Sequence, residues 1–279
     1  MRVGVIGAGV MGSNHARVLA GLPDVVLVGI VDPLPEHRAR AIELVGCRAF
    51  ANLDALLAEG VDAVTNAAPT HLHHEVALAC IARSIHILVE KPIAPTVEEG
   101  RDIVDAAQRA GVTLMVGHVE RFNPAVVAIK QAISSEDILS IGITRVGPFP
   151  PRMSNVGVVI DLAVHDIDLI RWFTESDIVE VQPQLSSAIA EREDIALLQF
   201  RTASGVLAHR QHGHGLGHEN CSHTVPQTAA LLSSTRSNTE EPDFCPGQFP
   251  AHPHQQARLA NERGQQLSRA SDHLQRRAG

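Results

Sequence analysis

Short apolar runs alternate with longer amphipathic segments over the first 120 or so residues of the chain. Runs such as Val25–Val31 and Ile85–Val89 are rich in β-branched residues, a pattern typical of strands buried on both faces. Segments such as Pro35–Leu44 and Thr96–Ala110 repeat apolar residues three and four apart, which indicates helices. Strands that alternate with helices of this length predict a parallel, doubly wound α/β sheet.

The first predicted strand, Val3–Gly7, leads directly into glycines in a G-x-G-x-x-G spacing, and a helical run from Asn14 follows. In this context Gly7 permits a tight turn, and Gly9 lets the backbone approach a pyrophosphate. Gly12 lets the helix pack closely on the strand. The N–H groups that begin the helix then face the phosphates, so the motif predicts a dinucleotide site.

An acid follows the second predicted strand, where dinucleotide-binding domains contact the ribose. Asp32 lies 20 residues beyond Gly12, and its carboxylate can accept hydrogen bonds from the adenosine ribose hydroxyls. Asp32 can also cap the helix after Pro33, and both roles can hold together. Because an acid repels a 2′-phosphate, the sequence predicts NAD rather than NADP, a preference that Arg38 and Arg40 can weaken.

Further candidate residues follow the later strands of the predicted sheet. Pro69 and Thr70 come after the fourth strand, and Glu90, Lys91 and Pro92 come after the fifth. Ligands of doubly wound sheets bind at the carboxyl ends of the strands. We therefore expect these residues to share one site with the glycine turn and Asp32.

A second chemical signal lies beyond residue 120, on a helix predicted over Val158–Trp172. Asp161 and His165 lie four residues apart there and should share a helix face. A lone histidine is more often packed or solvated than catalytic, but an acid one turn away can orient its ring. Histidine can then take the proton of a hydroxyl near neutral pH. Strands are predicted on either side of this helix: Ile138–Val146, Ile178–Ser187, Asp194–Thr202 and Gly205–His209.

The glycine turn, Pro69-Thr70-x-x-His73 and above all Glu90-Lys91-Pro92 resemble the glucose-fructose oxidoreductase/inositol dehydrogenase/MocA family. The resemblance covers about residues 1–208. It implies a Rossmann domain over residues 1–119 and a C-terminal α+β domain with a mostly antiparallel sheet over residues 120–208. It also implies a cis peptide bond between Lys91 and Pro92.

The resemblance further implies a set of site residues. Lys91, Asp161 and His165 would form the catalytic group beside the nicotinamide, and either Lys91 or His165 would take the substrate proton. These three residues would also bind substrate together with Arg152, for which a solvated loop arginine is the alternative interpretation. The implied cofactor-binding residues are Gly7, Gly9, Met11, Gly12, Asp32, Pro69, Thr70, His73, Glu90, Lys91, Arg121 and Asn123.

Within the family, residues 116–125, 145–152 and 161–168 are most similar to a branch that acts on nucleotide sugars. This similarity implies an NAD-dependent oxidation of the 3-hydroxyl of UDP-N-acetylglucosamine, which would supply an aminotransferase in amino-sugar lipid A synthesis. The alternative is a catalytically impaired or non-catalytic NAD-binding protein of the same fold. Such a protein would keep the glycines but would need neither Lys91 nor the Asp161/His165 pair.

Residues 209–279 depart from this pattern, with no Ile, Met or Trp, one Val and eight of the sixteen His. This composition predicts an irregular tail, which we interpret as the product of a frame change or of an unrelated replacement. The second sheet would then be incomplete. An incomplete sheet argues against the homo-oligomer that the resemblance implies. The histidines from His209 to His223 suggest a metal site as an alternative, but the tail is too polar to fold around an ion, so we predict none.

Charge and cysteine content exclude several classes of protein. The net charge of −8 and the absence of a basic run argue against a nucleic-acid partner. No apolar run is long enough for a membrane span. The four cysteines show no C-x-x-C spacing, which favours reduced thiols and a cytoplasmic location.

Overall fold

The computed structural model describes residues 1–133, 138–148, 157–188, 191–215 and 229–233, with backbone alone for 146–148, 212–215 and 229–233. The described residues form two compact units, one ending at Asn123 and the other beginning at Pro124. None of the helices in these ranges is both long and apolar enough to cross a membrane.

The first unit is built on six parallel strands in the order β3-β2-β1-β4-β5-β6. The strands are β1 (Arg2–Ile6), β2 (Val26–Val31), β3 (Ala49–Phe50), β4 (Ala63–Asn66), β5 (His86–Val89) and β6 (Leu114–Val116). The helices are α1 (Val10–Ala20), α2 (Pro35–Val45), α3 (Leu53–Leu57), α4 (His73–Ile81) and α5 (Val97–Ala110). The predicted doubly wound α/β sheet is confirmed, and its strand order reverses between β1 and β4, where ligands of such sheets bind.

Local sequence signals explain how the helices of this unit begin and end. Thr96 accepts a hydrogen bond from the backbone of Glu99, and the Glu99 carboxylate accepts one from the backbone of Thr96. This capping box satisfies two N–H groups at the start of α5. The helix ends at Gly111, whose φ of 66° suits a glycine. The helix predicted over Thr96–Ala110 is therefore confirmed, with Thr96 as its cap.

The second unit has a five-stranded mixed sheet in the order β11-β7-β10-β9-β8. Its elements are α6 (Pro124–Ile133), β7 (Ser140–Pro148), α7 (Val164–Thr174), β8 (Ile178–Ser186), β9 (Ile195–Thr202), β10 (Leu207–Gly215) and β11 (Ala229–Ser233). β7 and β10 run parallel, and the other neighbours run antiparallel, as predicted. Helix α7 buries Ile170 and Phe173 in one core with Ile143 and Phe200 from the sheet.

The sheet continues past residue 208, where the sequence predicts the start of an irregular tail. β10 continues to Gly215 between β7 and β9. β11 pairs with the edge of β7 that faces away from β10. Backbone hydrogen bonds to two neighbouring strands hold β10 in place even though its side chains lack an apolar alternation. The prediction of an irregular tail is therefore wrong for these segments, while residues 216–228 and 234–279 lie outside the described residues.

The helix predicted over Val158–Trp172 is interrupted by a π turn at Val159–Ala163. The N–H of Val164 donates to the carbonyl of Val159, five residues back, before α7 continues as a regular helix. Asp161 lies inside the π turn and His165 lies after it, so a wider turn separates them than the regular helix that the sequence predicts. Such π turns occur frequently at functional sites.

Candidate functional site

The glycine turn between β1 and α1 leaves room for a phosphate. Gly7 adopts a φ of 89°, which favours glycine, and a Cβ on Gly12 would overlap the carbonyl oxygen of Gly7. A Cβ on Gly9 would meet no atom within 4 Å, so that side of the turn is open. No side chain caps α1, and its first turn contains no acid. Its amino end therefore keeps N–H donors for an anion, and the turn fits a pyrophosphate.

Asp32, at the end of β2, is bound to the glycine turn itself. Its Oδ2 accepts a hydrogen bond from the backbone N–H of Ala8 at 2.8 Å, and its Oδ1 accepts one from Leu34 at 3.0 Å. Burial alone would raise the pKa of Asp32, but these two bonds and the contact with His37 outweigh it and hold the pKa below the ordinary value of 3.8. Each carboxylate oxygen retains acceptor capacity, so the cap and the predicted ribose contact are compatible.

Replacing Asp32 by alanine is expected to weaken NAD binding about 10- to 100-fold, the loss of a charged hydrogen-bond acceptor for the ribose. NADP binding should fall less, because the same change removes repulsion of its 2′-phosphate. Titrating both cofactors against the variant by fluorescence measures the difference. Asp62→Ala is the control, since Asp62 contacts the backbone of Arg2 at the start of β1. An equal loss for both cofactors would refute the ribose role.

The Asp32 carboxylate should also make the free energy of unfolding depend on pH in the acid range. Because the folded-state pKa of Asp32 lies below its ordinary value of 3.8, the ionised group stabilises the fold above that value. This contribution is lost as the pH falls through the folded-state pKa. Urea unfolding of wild type and Asp32→Asn from about pH 6 to about pH 2 should show their difference in free energy of unfolding shrinking towards acid. A difference that does not change with pH would contradict the proposed hydrogen bonding.

Glu90, Lys91 and Pro92, here called the Lys91 turn, follow β5 at the carboxyl edge of the parallel sheet. The Lys91–Pro92 peptide bond is cis, as the resemblance implies. Glu90 Oε1 lies 2.7 Å from Nε2 of His15 on α1, and Glu90 Oε2 accepts a hydrogen bond from the backbone N–H of Lys91 at 3.3 Å. The Glu90 side chain thus contacts the cofactor-facing helix and the backbone of its own turn.

His73, predicted to bind cofactor, begins α4 and is 1% exposed. Its Nδ1 lies 2.9 Å from the carbonyl oxygen of Pro92, and its Nε2 lies 2.9 Å from that of Ala68. The ring therefore joins the loop after β4 to the Lys91 turn. The sequence motif selected this residue, but its contacts are with the backbone of two loops that lie far apart in the chain.

The remaining predicted cofactor residues surround this edge of the sheet or lie just beyond it. Met11 lies in the first turn of α1, and Thr70 begins the 3-10 helix Thr70–Leu72, directly after Pro69. Arg121 lies in a second 3-10 helix, Val119–Phe122, and Asn123 ends it. Each of these residues follows the carboxyl end of a strand, the edge at which ligands of doubly wound sheets bind. Their contacts with a cofactor remain predictions.

In the second unit, His165 is 9% exposed at the start of α7, and a buried ion cluster adjoins it in sequence. Asp166 is fully buried and binds two arginines: Oδ1 meets Nε of Arg145 on β7 at 2.7 Å, and Oδ2 meets Nε of Arg210 on β10 at 2.5 Å. Burial lowers the pKa of Arg210 and Asp166 opposes that effect, while Arg145 adds to it. The cluster fixes the first turn of α7 to the sheet.

A second contact fixes the start of the helical segment that contains Asp161. Val158 donates to the carbonyl of Glu193 at 2.9 Å, and Val159 donates to the Glu193 carboxylate at 3.4 Å. A Cβ on Gly157 would overlap that carboxylate. Sequence reasoning missed Glu193, because the residue lies on the β8–β9 connection, 34 positions from Val159. No local pattern indicates such a cap.

The structure groups the predicted residues within each unit. The glycine turn, Asp32 and the Lys91 turn lie in the first unit, and Asp161 and His165 lie in the second. The convergence of Lys91 with Asp161 and His165 remains a prediction, and Arg152 lies outside the described residues. In the described ranges no three His, Cys, Asp or Glu residues are grouped to hold a metal ion. Cys47 and Cys80 are free thiols, and burial raises the pKa of Cys80 to about 12.

Two family models match the chain. Residues 1–118 match the oxidoreductase family with an NAD-binding Rossmann fold, and residues 145–225 match the GFO/IDH/MocA C-terminal domain. The chain belongs to the GFO/IDH/MocA oxidoreductase family. Its first unit is that family's NAD-binding domain, in agreement with the geometry of the glycine turn.

Named relatives of the family are dehydrogenases of sugars and polyols. The chain is 35% identical to UDP-N-acetylglucosamine 3-dehydrogenase of Acidithiobacillus ferrooxidans over 75% of the chain and 65% of that protein. It is 34% identical to inositol 2-dehydrogenase of Rubrobacter xylanophilus over 74% of the chain and 62% of that protein. The chain thus spans slightly less than two thirds of the length of these curated relatives.

Solved structures of the family show the same arrangement of elements. The UDP-N-acetylglucosamine 3-dehydrogenase of A. ferrooxidans superposes with a TM-score of 0.73 at 33% identity, over 78% of this chain and 71% of that one. The WlbA dehydrogenase of Bordetella pertussis, in complex with NADH and UDP-GlcNAcA, gives a TM-score of 0.74 at 25% identity, over 84% and 77%. The family assignment made from the sequence motifs is therefore confirmed.

Proposed function

We propose that the chain is an NAD-dependent dehydrogenase of a nucleotide sugar, and that it oxidises the 3-hydroxyl of UDP-N-acetylglucosamine. The observation that carries the proposal is the occurrence of two chemical sites in one chain. The first is an NAD-type glycine turn with Lys91 at the carboxyl end of the same sheet. The second is the Asp161/His165 pair on a helix whose start is fixed by a buried ion cluster and by Glu193.

Each chemical role that such a reaction requires has a candidate residue in this chain, and each role follows from the chemistry of the side chain. The amino end of α1 holds the pyrophosphate and Asp32 holds the ribose. Bound NAD supplies the acceptor for the hydride. As the hydride leaves carbon, the hydroxyl proton must pass to a base, and either His165 or Lys91 can accept it. Where His165 is the base, Asp161 orients the imidazole and the Lys91 ammonium stabilises negative charge on the sugar oxygen.

The choice of a nucleotide sugar over a polyol follows the named relatives. The chain is similar to a UDP-N-acetylglucosamine 3-dehydrogenase, and the similar B. pertussis structure contains UDP-GlcNAcA. Inositol dehydrogenases of nearly equal identity make a neutral polyol the competing substrate. Arg152 is our candidate for binding the diphosphate, as a two-pronged donor in a proline-rich loop.

The product of the proposed reaction also suggests its context. A 3-keto nucleotide sugar is a substrate for an aminotransferase, and the resulting amino sugar would serve lipid A synthesis in the cytoplasm. This context belongs to the proposal together with the substrate, and coupled turnover with such an aminotransferase would test it.

The test is to incubate the purified full chain with NAD and each candidate substrate while following NADH absorbance. We expect NADH with UDP-N-acetylglucosamine and little with myo-inositol. A reversed preference would replace the nucleotide sugar by a polyol. NAD binding without turnover of any sugar would favour the alternative, a non-catalytic or impaired NAD-binding protein.

A further inference from the structure

Two buried histidines contact the Lys91 turn from two different helices. His15, on α1, meets the Glu90 carboxylate with side chains 9% and 14% exposed. His73, at the start of α4, meets the carbonyl oxygen of Pro92. The residues on both sides of Lys91 are therefore bound by imidazole rings that come from elsewhere in the chain.

The Glu90 carboxylate has little freedom to leave this arrangement. Its Oε1 is held by His15 and its Oε2 by the backbone N–H of Lys91. On a third side, a Cβ added to Gly117 would lie only 3.0 Å from Oε2 and 3.2 Å from Cδ. The glycine therefore leaves the space that the carboxylate fills, between α1 and the strand end of β6. A displacement of His15 therefore removes one of the contacts that hold the Glu90 carboxylate against the backbone of Lys91.

Each histidine belongs to an element that faces the cofactor. His15 lies on α1, three residues beyond Gly12, which is the last glycine of the motif. His73 follows the Pro69-Thr70 loop and contacts Ala68, the residue before it. A pyrophosphate that binds at α1 and restrains this helix can thus also restrain Lys91, through the side chains of His15 and Glu90.

We propose that His15 and His73 are positioning residues that fix the backbone of the Lys91 turn, and that binding of the cofactor's diphosphate at α1 is transmitted to Lys91 through the His15–Glu90 contact. The inference rests on the proposed function, in which Lys91 acts beside the nicotinamide. Neither histidine needs to touch the substrate. Their effect is to hold the lysine where the reacting hydroxyl will lie.

The kinetic test compares a variant that removes the donor with one that restores it. His15→Leu should lower kcat about 10- to 100-fold, because small misplacement of a reacting group has effects of this size, while KM for NAD changes less. His15→Gln retains an N–H donor for Glu90 and should recover most of kcat. His74→Leu is the matched control, since His74 contacts Asp102 at 2.8 Å on the surface of the same unit.

A second measurement follows the chemical reactivity of Lys91 and needs no turnover. The chain contains two lysines, Lys91 and Lys130, so Lys130 serves as the internal reference. Brief acetylation followed by mass spectrometry gives the ratio of modification at Lys91 to that at Lys130. ADP-ribose is the probe, since it contains the diphosphate but no nicotinamide that could cover Lys91. We expect saturating ADP-ribose to change the ratio in wild type and His74→Leu, and to leave it unchanged in His15→Leu. His73→Leu should alter the ratio before any ligand is added.

The outcomes separate this inference from the proposed function. If saturating ADP-ribose leaves the ratio of Lys91 to Lys130 acetylation unchanged in wild type, the proposed transmission through His15 is wrong. Full kcat in folded His15→Leu, with only its melting temperature lowered, would reduce the contact to a structural one. If wild type oxidises no sugar while its ratio still responds to ADP-ribose and His15→Leu loses that response, the proposed function fails and the positioning role stands.

Discussion

Replacing Lys91 by methionine is expected to lower the rate of NADH formation by about 10²- to 10⁴-fold, the range over which a positioned acid or base contributes to catalysis. Methionine keeps the length and apolar stem of the lysine but cannot donate to a hydroxyl or bear charge. The binding of NAD should weaken far less than the rate falls, because the glycine turn and Asp32 would still hold the pyrophosphate and the ribose. Steady-state kinetics with UDP-N-acetylglucosamine and a separate NAD titration measure the two quantities.

The chain offers a matched control in its second lysine. Lys130 Nζ contacts the carbonyl oxygen of Phe173 at 3.3 Å and the Glu175 carboxylate at 2.7 Å. Lys130→Met removes the same charge, and it should leave the rate near that of wild type. A Lys91→Met variant that retains its rate would remove Lys91 from the chemistry. His165 would then be the remaining candidate for the base, and its replacement by asparagine should abolish turnover.

Local signals in the sequence are sufficient to predict the strands, the helices and the glycine turn of the first unit. The G-x-G-x-x-G spacing requires a turn, and Gly7 adopts the positive φ that the turn needs. Thr96 and Glu99 form a capping box because both partners lie within one turn of the chain. Buried parallel strands are nearly continuous apolar runs, so their order along the chain is visible from hydrophobicity alone.

Contacts between distant segments left no such signal. His15 and Glu90 are 75 positions apart, and Asp166 and Arg210 are 44 apart. The π turn is equally hidden, because the apolar spacing of a helix does not reveal one extra residue in a turn. The sequence correctly predicts that Asp161 and His165 lie on one helical segment, but it does not reveal the π turn that contains Asp161.

The polar segment after residue 208 shows the limit of hydrophobic patterning. Arg210 lies where an apolar residue would be expected, yet it is 1% exposed within the sheet. It can be buried because Asp166 supplies a countercharge from α7, and because β7 and β9 satisfy its backbone. A partner on another element cannot be inferred from the residues around Arg210.

The same burial makes Asp166 a position at which loss of a charge should destabilise the fold strongly. Asp166→Asn removes the buried carboxylate that pairs with the guanidinium groups of both Arg145 and Arg210. Removal of one partner from such a buried cluster costs about 3–5 kcal/mol in free energy of unfolding. Urea unfolding of the full chain measures this loss. Asp177→Asn is the control, because Asp177 pairs with Arg171 with side chains 76% and 53% exposed and should contribute at most about 1 kcal/mol.

A further variant separates the charge from the shape of the cluster. Replacing all three residues together, with methionine for both arginines and leucine for Asp166, removes the three charges of this cluster while filling a similar volume. Stability should then recover much of what Asp166→Asn loses, since apolar replacement of a whole buried ion cluster is often neutral or stabilising. If the cluster also orients the start of α7, where His165 lies, the triple variant should remain folded yet turn over sugar more slowly. An Asp166→Asn variant as stable as wild type would show that Arg145 and Arg210 do not depend on the Asp166 carboxylate.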